Sequence, residues 1–205
     1  MAGAAQPDRR NILERGYDPV RNTFVESYGG TEVDTSLLLI PLVGFLPIDD
    51  QRVQGTIKML ETELMDNSGF VLRYRTDAAG APDGLPAGEG AFLACSFWLA
   101  DTYVLAGRLS EATAPLERLL ELANDLGLLA EEYDAPRGAL TGNFPQALTH
   151  VSVVQTAQLI TEGISPGRPV GRWLGGEVDY CRGSRTVQGG ALEPAHRLSR
   201  RRCGT

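Results

Sequence analysis

Apolar residues recur at helical spacing in at least five windows between residue 1 and about residue 160, while runs of strict two-residue alternation are scarce. Such a pattern confines the chain to a mostly α fold. Asn11 to Arg15 closes a first helix, and Asp34 to Leu46, nearly apolar all round, predicts a buried second helix with Asp34 as its cap. Asp50 opens the next helix, Gln51 to Asp66, with Val53, Ile57, Leu60 and Leu64 on one stripe; Asn67-Ser68-Gly69 ends it with turn chemistry. Phe70 to Tyr74 is short and β-prone. The Gly- and Pro-rich stretch 77–90 has the composition of a long rim loop, a place where function is often held.

A helix is then expected over 90–106, with Phe92, Cys95, Leu99 and Thr102 on one side and Gly107 as its stop. Ser110 to Asp125 stripes Ala112, Leu116, Leu119, Leu120 and Ala123, but Pro115 in a regular helix interior would cost about 3 kcal/mol, so this helix is expected to start or kink there. Asn143 is placed to cap a last helix, Phe144 to Ile160, striped by Ala147, Val151, Val154 and Ala157. Short polar links between successive helices predict about three antiparallel hairpins. Alternation of wholly apolar and amphipathic members suggests a toroid of inner and outer helices, of which three hairpins make half a ring. A solenoid is the alternative, but no motif repeats at a fixed period.

The net charge of -7 hides an asymmetry: residues 161–205 hold eight Arg against four acids, which leaves about -11 on the first 160 residues and argues against nucleic acid as a partner. The longest apolar stretch, Leu37 to Leu46, is interrupted by Pro41 and Gly44, short of the roughly 18 residues a membrane span needs. Without the basic-then-apolar order of a secretory signal, a soluble cytoplasmic protein with no membrane partner is the expectation. Cys95, Cys181 and Cys203 are too few and too scattered for a disulfide framework or a metal site, and no cofactor can be identified.

Six segments, 13–29 (LERGYDPVRNTFVESYG), 34–47, 69–77 (GFVLRYRTD), 88–101 (GEGAFLACSFWLAD), 124–134 (NDLGLLAEEYD) and 142–157 (GNFPQALTHVSVVQTA), together resemble the family 15 glycoside hydrolases, in order and in spacing. That family includes glucoamylases, glucodextranases and bacterial trehalases, and the bacterial trehalase and glucoamylase-like branch is closer in wording. The resemblance implies an all-α fold of the six-hairpin glycosidase kind. For this chain it implies a partial (α/α)6 toroid of about three helical hairpins, with residues 1–160 expected to form the C-terminal half of the catalytic domain.

It further implies an inverting, exo-acting α-glucosidase, glucoamylase or trehalase-like, whose substrate is an α-glucoside or oligosaccharide. Inversion needs one carboxylic acid to protonate the leaving oxygen and a carboxylate about 6.5–9.5 Å away to activate water. Ala130-Glu131-Glu132-Tyr133-Asp134 matches the segment that carries the family's base, so the resemblance puts Glu131 in the role of general base, a task for a group ionised at neutral pH. On composition alone, Glu131 and Glu132 read as a solvated acidic loop.

Arg73 matches a family arginine that hydrogen-bonds sugar hydroxyls, a task suited to a rigid fork of donors. Glu89, between Gly88 and Gly90, lies where the family sequence enters the pocket and is a second candidate for substrate binding. Trp98 and Phe92 could stack on a sugar ring, but their helical spacing ranks them as core. His150, with no partner at catalytic or metal-ligand spacing, reads as a packing or hydrogen-bonding residue.

The family's general acid belongs to an earlier Trp- and Glu-rich segment with no equivalent in this sequence, so the chain is expected to be a fragment, inactive alone, whose partner is the missing N-terminal half. After about residue 160 the match stops. Residues 161–205 are Arg- and Gly-rich and read as disordered. With 18 Arg against one Lys in the chain, they also read as a frameshifted or wrongly joined terminus. A basic arm formed by Arg197 and residues 200–202 is the alternative. Two further readings of the whole remain: a non-catalytic helical module that binds sugar or protein, and one half of a split enzyme.

Overall fold

A computed structural model describes residues 5–75 and 90–162. The loop predicted at 77–90, except Gly90, and the terminus from residue 163 lie outside the described residues. The first helix, α1 (Ala5–Arg15), leads into a hairpin of β1 (Tyr17–Asp18) and β2 (Thr23–Phe24), registered Tyr17 to Phe24. Asp18 makes the turn, its Oδ1 accepting from the backbone N–H groups of Val20 and Arg21.

A 3-10 turn (Thr35–Leu38) runs into the one-turn helix α2 (Leu39–Leu42), followed by α3 (Gln51–Glu63). The central helix α4 (Leu93–Leu105) is preceded by β3 (Ala91–Phe92) and followed by α5 (Leu109–Leu120). Two further strands, β4 (Glu132–Asp134) and β5 (Ala139–Thr141), precede α6 (Ala147–Glu162). Strands β3, β4 and β5 form an antiparallel sheet with β4 in the middle. The architecture is helix-rich, as the periodicity predicted, with two small sheets that the all-α fold implied by the resemblance did not include.

Helix α4 organises the core. Every residue from Leu93 to Leu105 except Trp98 is buried, and α4 packs against α2, α5 and α6. One apolar cluster gathers Phe24, Leu38, Leu42, Leu60, Leu64 and Leu99; a second gathers Phe70, Leu93, Phe97, Leu116, Leu119 and Leu129. Each such side chain contributes about 1.5–3 kcal/mol by leaving water. Asp50 caps α3 as expected, accepting from Arg52 N, and the stripe Val53, Ile57, Leu60, Leu64 is buried. Gly107, at φ +75°, ends the α4 region.

Four expectations are corrected. The helix expected over 34–46 is a 3-10 turn and a single α turn: Asp34 caps it through Ser36 N, but Gly44 takes φ +73° and Val43 is exposed. Phe70 to Tyr74 is not a strand, because only Val71 bridges, to Met65; its N–H goes instead to Ser96 Oγ of α4. Helix α5 does not start at Pro115 but runs through it from Leu109. The N–H that proline lacks would have bonded the carbonyl of the exposed Glu111, where water can serve. The fourth correction concerns α6. Val151 and Val154, placed on its core stripe, are 61% and 57% exposed, and the buried residues are Thr149, Ser152, Thr156 and Leu159. That face is buried because each hydroxyl has an acceptor: Ala130 O for Thr149, Leu148 O for Ser152 and Asp101 Oδ1 for Thr156. Among the described residues no helix is long and apolar enough to cross a membrane.

Candidate active site

A cleft of about 120 Å3 opens where the 72–74 segment faces the β3–β4–β5 sheet, and Arg73, Tyr74, Gly90, Phe92, Glu131 and Glu132 line it. Segment 72–74 is held by side chains and turns rather than by a strand ladder. Thr35 donates its N–H to Arg73 O (2.8 Å) and its hydroxyl to Leu72 O (2.6 Å), while Leu72 N reaches Leu64 O (2.9 Å). The buried Asp34 uses Oδ1 to cap Ser36 N and presents Oδ2 3.5 Å from Arg73 Nε. The Arg73 guanidinium lies 5.3 Å from the Tyr74 ring centre, and 58% of the side chain is exposed. An arginine fixed at its base and open at its fork can offer paired donors to a hydroxylated ligand.

The opposite wall depends on β4. Phe92 pairs with Glu132, which pairs in turn with Thr141, and Glu132 Oε2 accepts from Gly90 N at 3.2 Å. Gly90 is required here: a Cβ would come within 2.8 Å of Tyr133 O. Glu131, one residue before β4, is locked by its backbone, donating N–H to Asn143 O (3.0 Å) and accepting from Leu93 N (2.9 Å). Its carboxylate is oriented by three N–H donors. Oε2 accepts from Asn143 N (3.1 Å) and Asn143 Nδ2 (2.8 Å), and Oε1 from Gln146 Nε2 (3.1 Å). Held in this way, a half-buried carboxylate keeps one orientation towards the cleft, the property a general base needs.

The structure therefore brings Arg73 and Glu131 to one cleft, while Glu89 lies outside the described residues. Phe92 and Trp98 both pack against the first core cluster, as their spacing implied, but Phe92 belongs to β3 and also forms part of the cleft wall, while Trp98 lies on α4. Asn143 does not cap α6. That helix begins four residues later, with Gln146 Oε1 accepting from Leu148 N, and the Asn143 amide serves Glu131 instead. Asn143, Gln146 and Glu132 were not singled out as site residues, and spacing offers no signal for them because the sheet and the 142–146 turn alone bring them together. Among the described residues no group of three His, Cys, Asp or Glu side chains could hold a metal ion.

The sequence profile of the Glycosyl hydrolases family 15 matches residues 3–158. The Trehalase of Thermoplasma acidophilum is 43% identical over 152 residues, covering 74% of this chain and 25% of the relative. The Trehalase of Mycobacterium tuberculosis is 44% identical over 146 residues, covering 71% and 21%. The chain thus spans about a quarter of the length of the curated relatives it matches. Among solved structures, a glycosidase in complex with glucose superposes with a TM-score of 0.64 at 20% identity, over 77% of this chain and 43% of that one, a likeness of fold.

Proposed function

The chain belongs to the Glycosyl hydrolases family 15, and on that premise we propose that it carries the general base and part of the sugar-binding wall of an inverting, exo-acting α-glucosidase with trehalose as its substrate. Glu131 acts as the base, drawing a proton from the water that attacks the anomeric carbon. Arg73 holds sugar hydroxyls through its guanidinium fork. The observation that carries the reading is the Glu131 carboxylate, fixed by three N–H donors on the wall of a cleft that Arg73 also lines. The curated relatives named trehalases support the choice of substrate.

The general acid comes from outside the described residues. In this reading the ring is an (α/α)6 toroid, of which residues 1–160 make the C-terminal half, and the chain alone does not turn over substrate. Lacking an acid forfeits leaving-group protonation, a contribution of about 10²- to 10⁴-fold in rate. The test is to titrate the purified chain with glucose, following amide shifts, and to incubate it with trehalose and maltose. Saturable glucose binding that weakens in both Arg73→Ala and Glu131→Gln, with no hydrolysis, is expected. Binding untouched by either substitution would remove Glu131 and Arg73 from the site, and robust trehalose turnover by the chain alone would overturn the account of the acid.

A further inference from the structure

His150 lies on the second turn of α6, and both of its ring nitrogens are engaged. Nδ1 is 2.7 Å from Gln146 O and Nε2 is 3.3 Å from Leu129 N. A carbonyl can only accept and a peptide N–H can only donate, so the two partners dictate the tautomer: Nδ1 carries the proton and Nε2 is the acceptor. The two partners flank Glu131. Leu129 precedes it by two residues, and Gln146 is the residue whose side chain donates to Glu131 Oε1.

Three more bonds run from this end of α6 or its approach to the same stretch. Gln146 N donates to Leu129 O (3.0 Å), the buried Thr149 Oγ1 donates to Ala130 O (3.0 Å), and Gln146 Nε2 donates to Glu131 Oε1 (3.1 Å). We propose that His150 is a positioning residue for Glu131, its neutral imidazole clamping the 129–131 stretch to the start of α6. The inference rests on the assignment of Glu131 as the base.

Removing the ring would break the clamp at both ends: Leu129 N loses its acceptor and Gln146 O loses the donor at Nδ1. The release is local to the residues that lead into Glu131.

The experiment uses the 15N-labelled 205-residue chain. Long-range ring correlations at neutral pH are expected to report Nδ1 protonated and Nε2 as acceptor at His150. In His150→Ala, which removes the acceptor of Leu129 N, amide-exchange protection at Leu129, corrected for intrinsic rates, is expected to fall about tenfold relative to Leu99 in α4, the loss of one hydrogen bond. Glucose affinity should weaken in the same variant. In His150→Gln, whose side-chain oxygen can still accept from Leu129 N, both should stay at the wild-type level.

A proton on Nε2 at neutral pH, an equal loss of Leu129 protection in His150→Gln, or a glucose affinity unchanged in His150→Ala would each overturn the proposal. The ring readout needs no variant to fold. Failure of the assignment of Glu131 appears elsewhere, as unchanged glucose affinity in Glu131→Gln at fixed neutral pH.

Discussion

Asp101 is fully buried between α4 and α6, and its carboxylate accepts from Gln155 Nε2 at 2.6 Å and Thr156 Oγ1 at 2.5 Å. Burial raises its pKa from the ordinary 3.8 to about 6, with the two hydrogen bonds opposing the rise. Because the folded chain holds this proton more tightly than the unfolded chain, the stabilising contribution is fully present below about pH 3.8 and is lost as pH rises through about 6. The shift corresponds to roughly 3 kcal/mol. Urea unfolding of wild type and Asp101→Asn at pH 3.5 and pH 7.5 checks it: the stability of wild type relative to the variant should fall by an amount of that order between the two. A difference that stays flat would mean that burial does not lift the Asp101 pKa above its unfolded value. Asp101 was invisible to sequence reading as a special group, since an Asp in a helical pattern is ordinarily solvated. Only the approach of Thr156 and Gln155, more than fifty residues later, closes it off.

At the scale of elements, the 142–146 turn between β5 and α6 decides the candidate site. Gly142 has φ +73°, and a Cβ there would lie 3.0 Å from both Cβ and Oε2 of Glu131. Gly107 has nearly the same backbone, at φ +75°, with nothing within 4 Å of its Cβ position. Replacing either glycine with alanine should lower the unfolding free energy by about 1–2 kcal/mol, the cost of a left-handed conformation. Only Gly142→Ala should also weaken glucose binding, as read by titration, because only there does the new methyl press on Glu131. Equal glucose affinity in the two variants would show that the turn does not govern the carboxylate. Element boundaries follow the same lesson. The Asp50 cap and the α3 stripe were legible because they are local, whereas β3 pairs with a strand distant in sequence (Ala91 with Tyr133), and the local β4–β5 hairpin has strands too short to leave a period to read.

For the whole molecule, α6 poses the sharpest contrast between pattern and environment. Leu148, Val151 and Val154 form an exposed apolar stripe, while hydroxyls fill the buried face. Val151→Ser with Val154→Ser should change unfolding free energy by no more than about 0.5 kcal/mol per site. Leu99→Ala in the core should cost about 2–5 kcal/mol. Urea denaturation measures both, and a valine pair as costly as Leu99 would mean that something covers the stripe in solution. Helix content, the buried stripe of α3 and the family-like segments around Arg73 and Glu131 were legible before folding, because helical period, capping and motif wording are written in neighbouring residues. Packing between distant segments is what turns Thr149 and Thr156 of α6 inward, brings Asn143 and Gln146 to Glu131, and adds Phe92 to the cleft wall. Those outcomes depend on which distant donors and acceptors meet, and a buried polar group goes where its partner is.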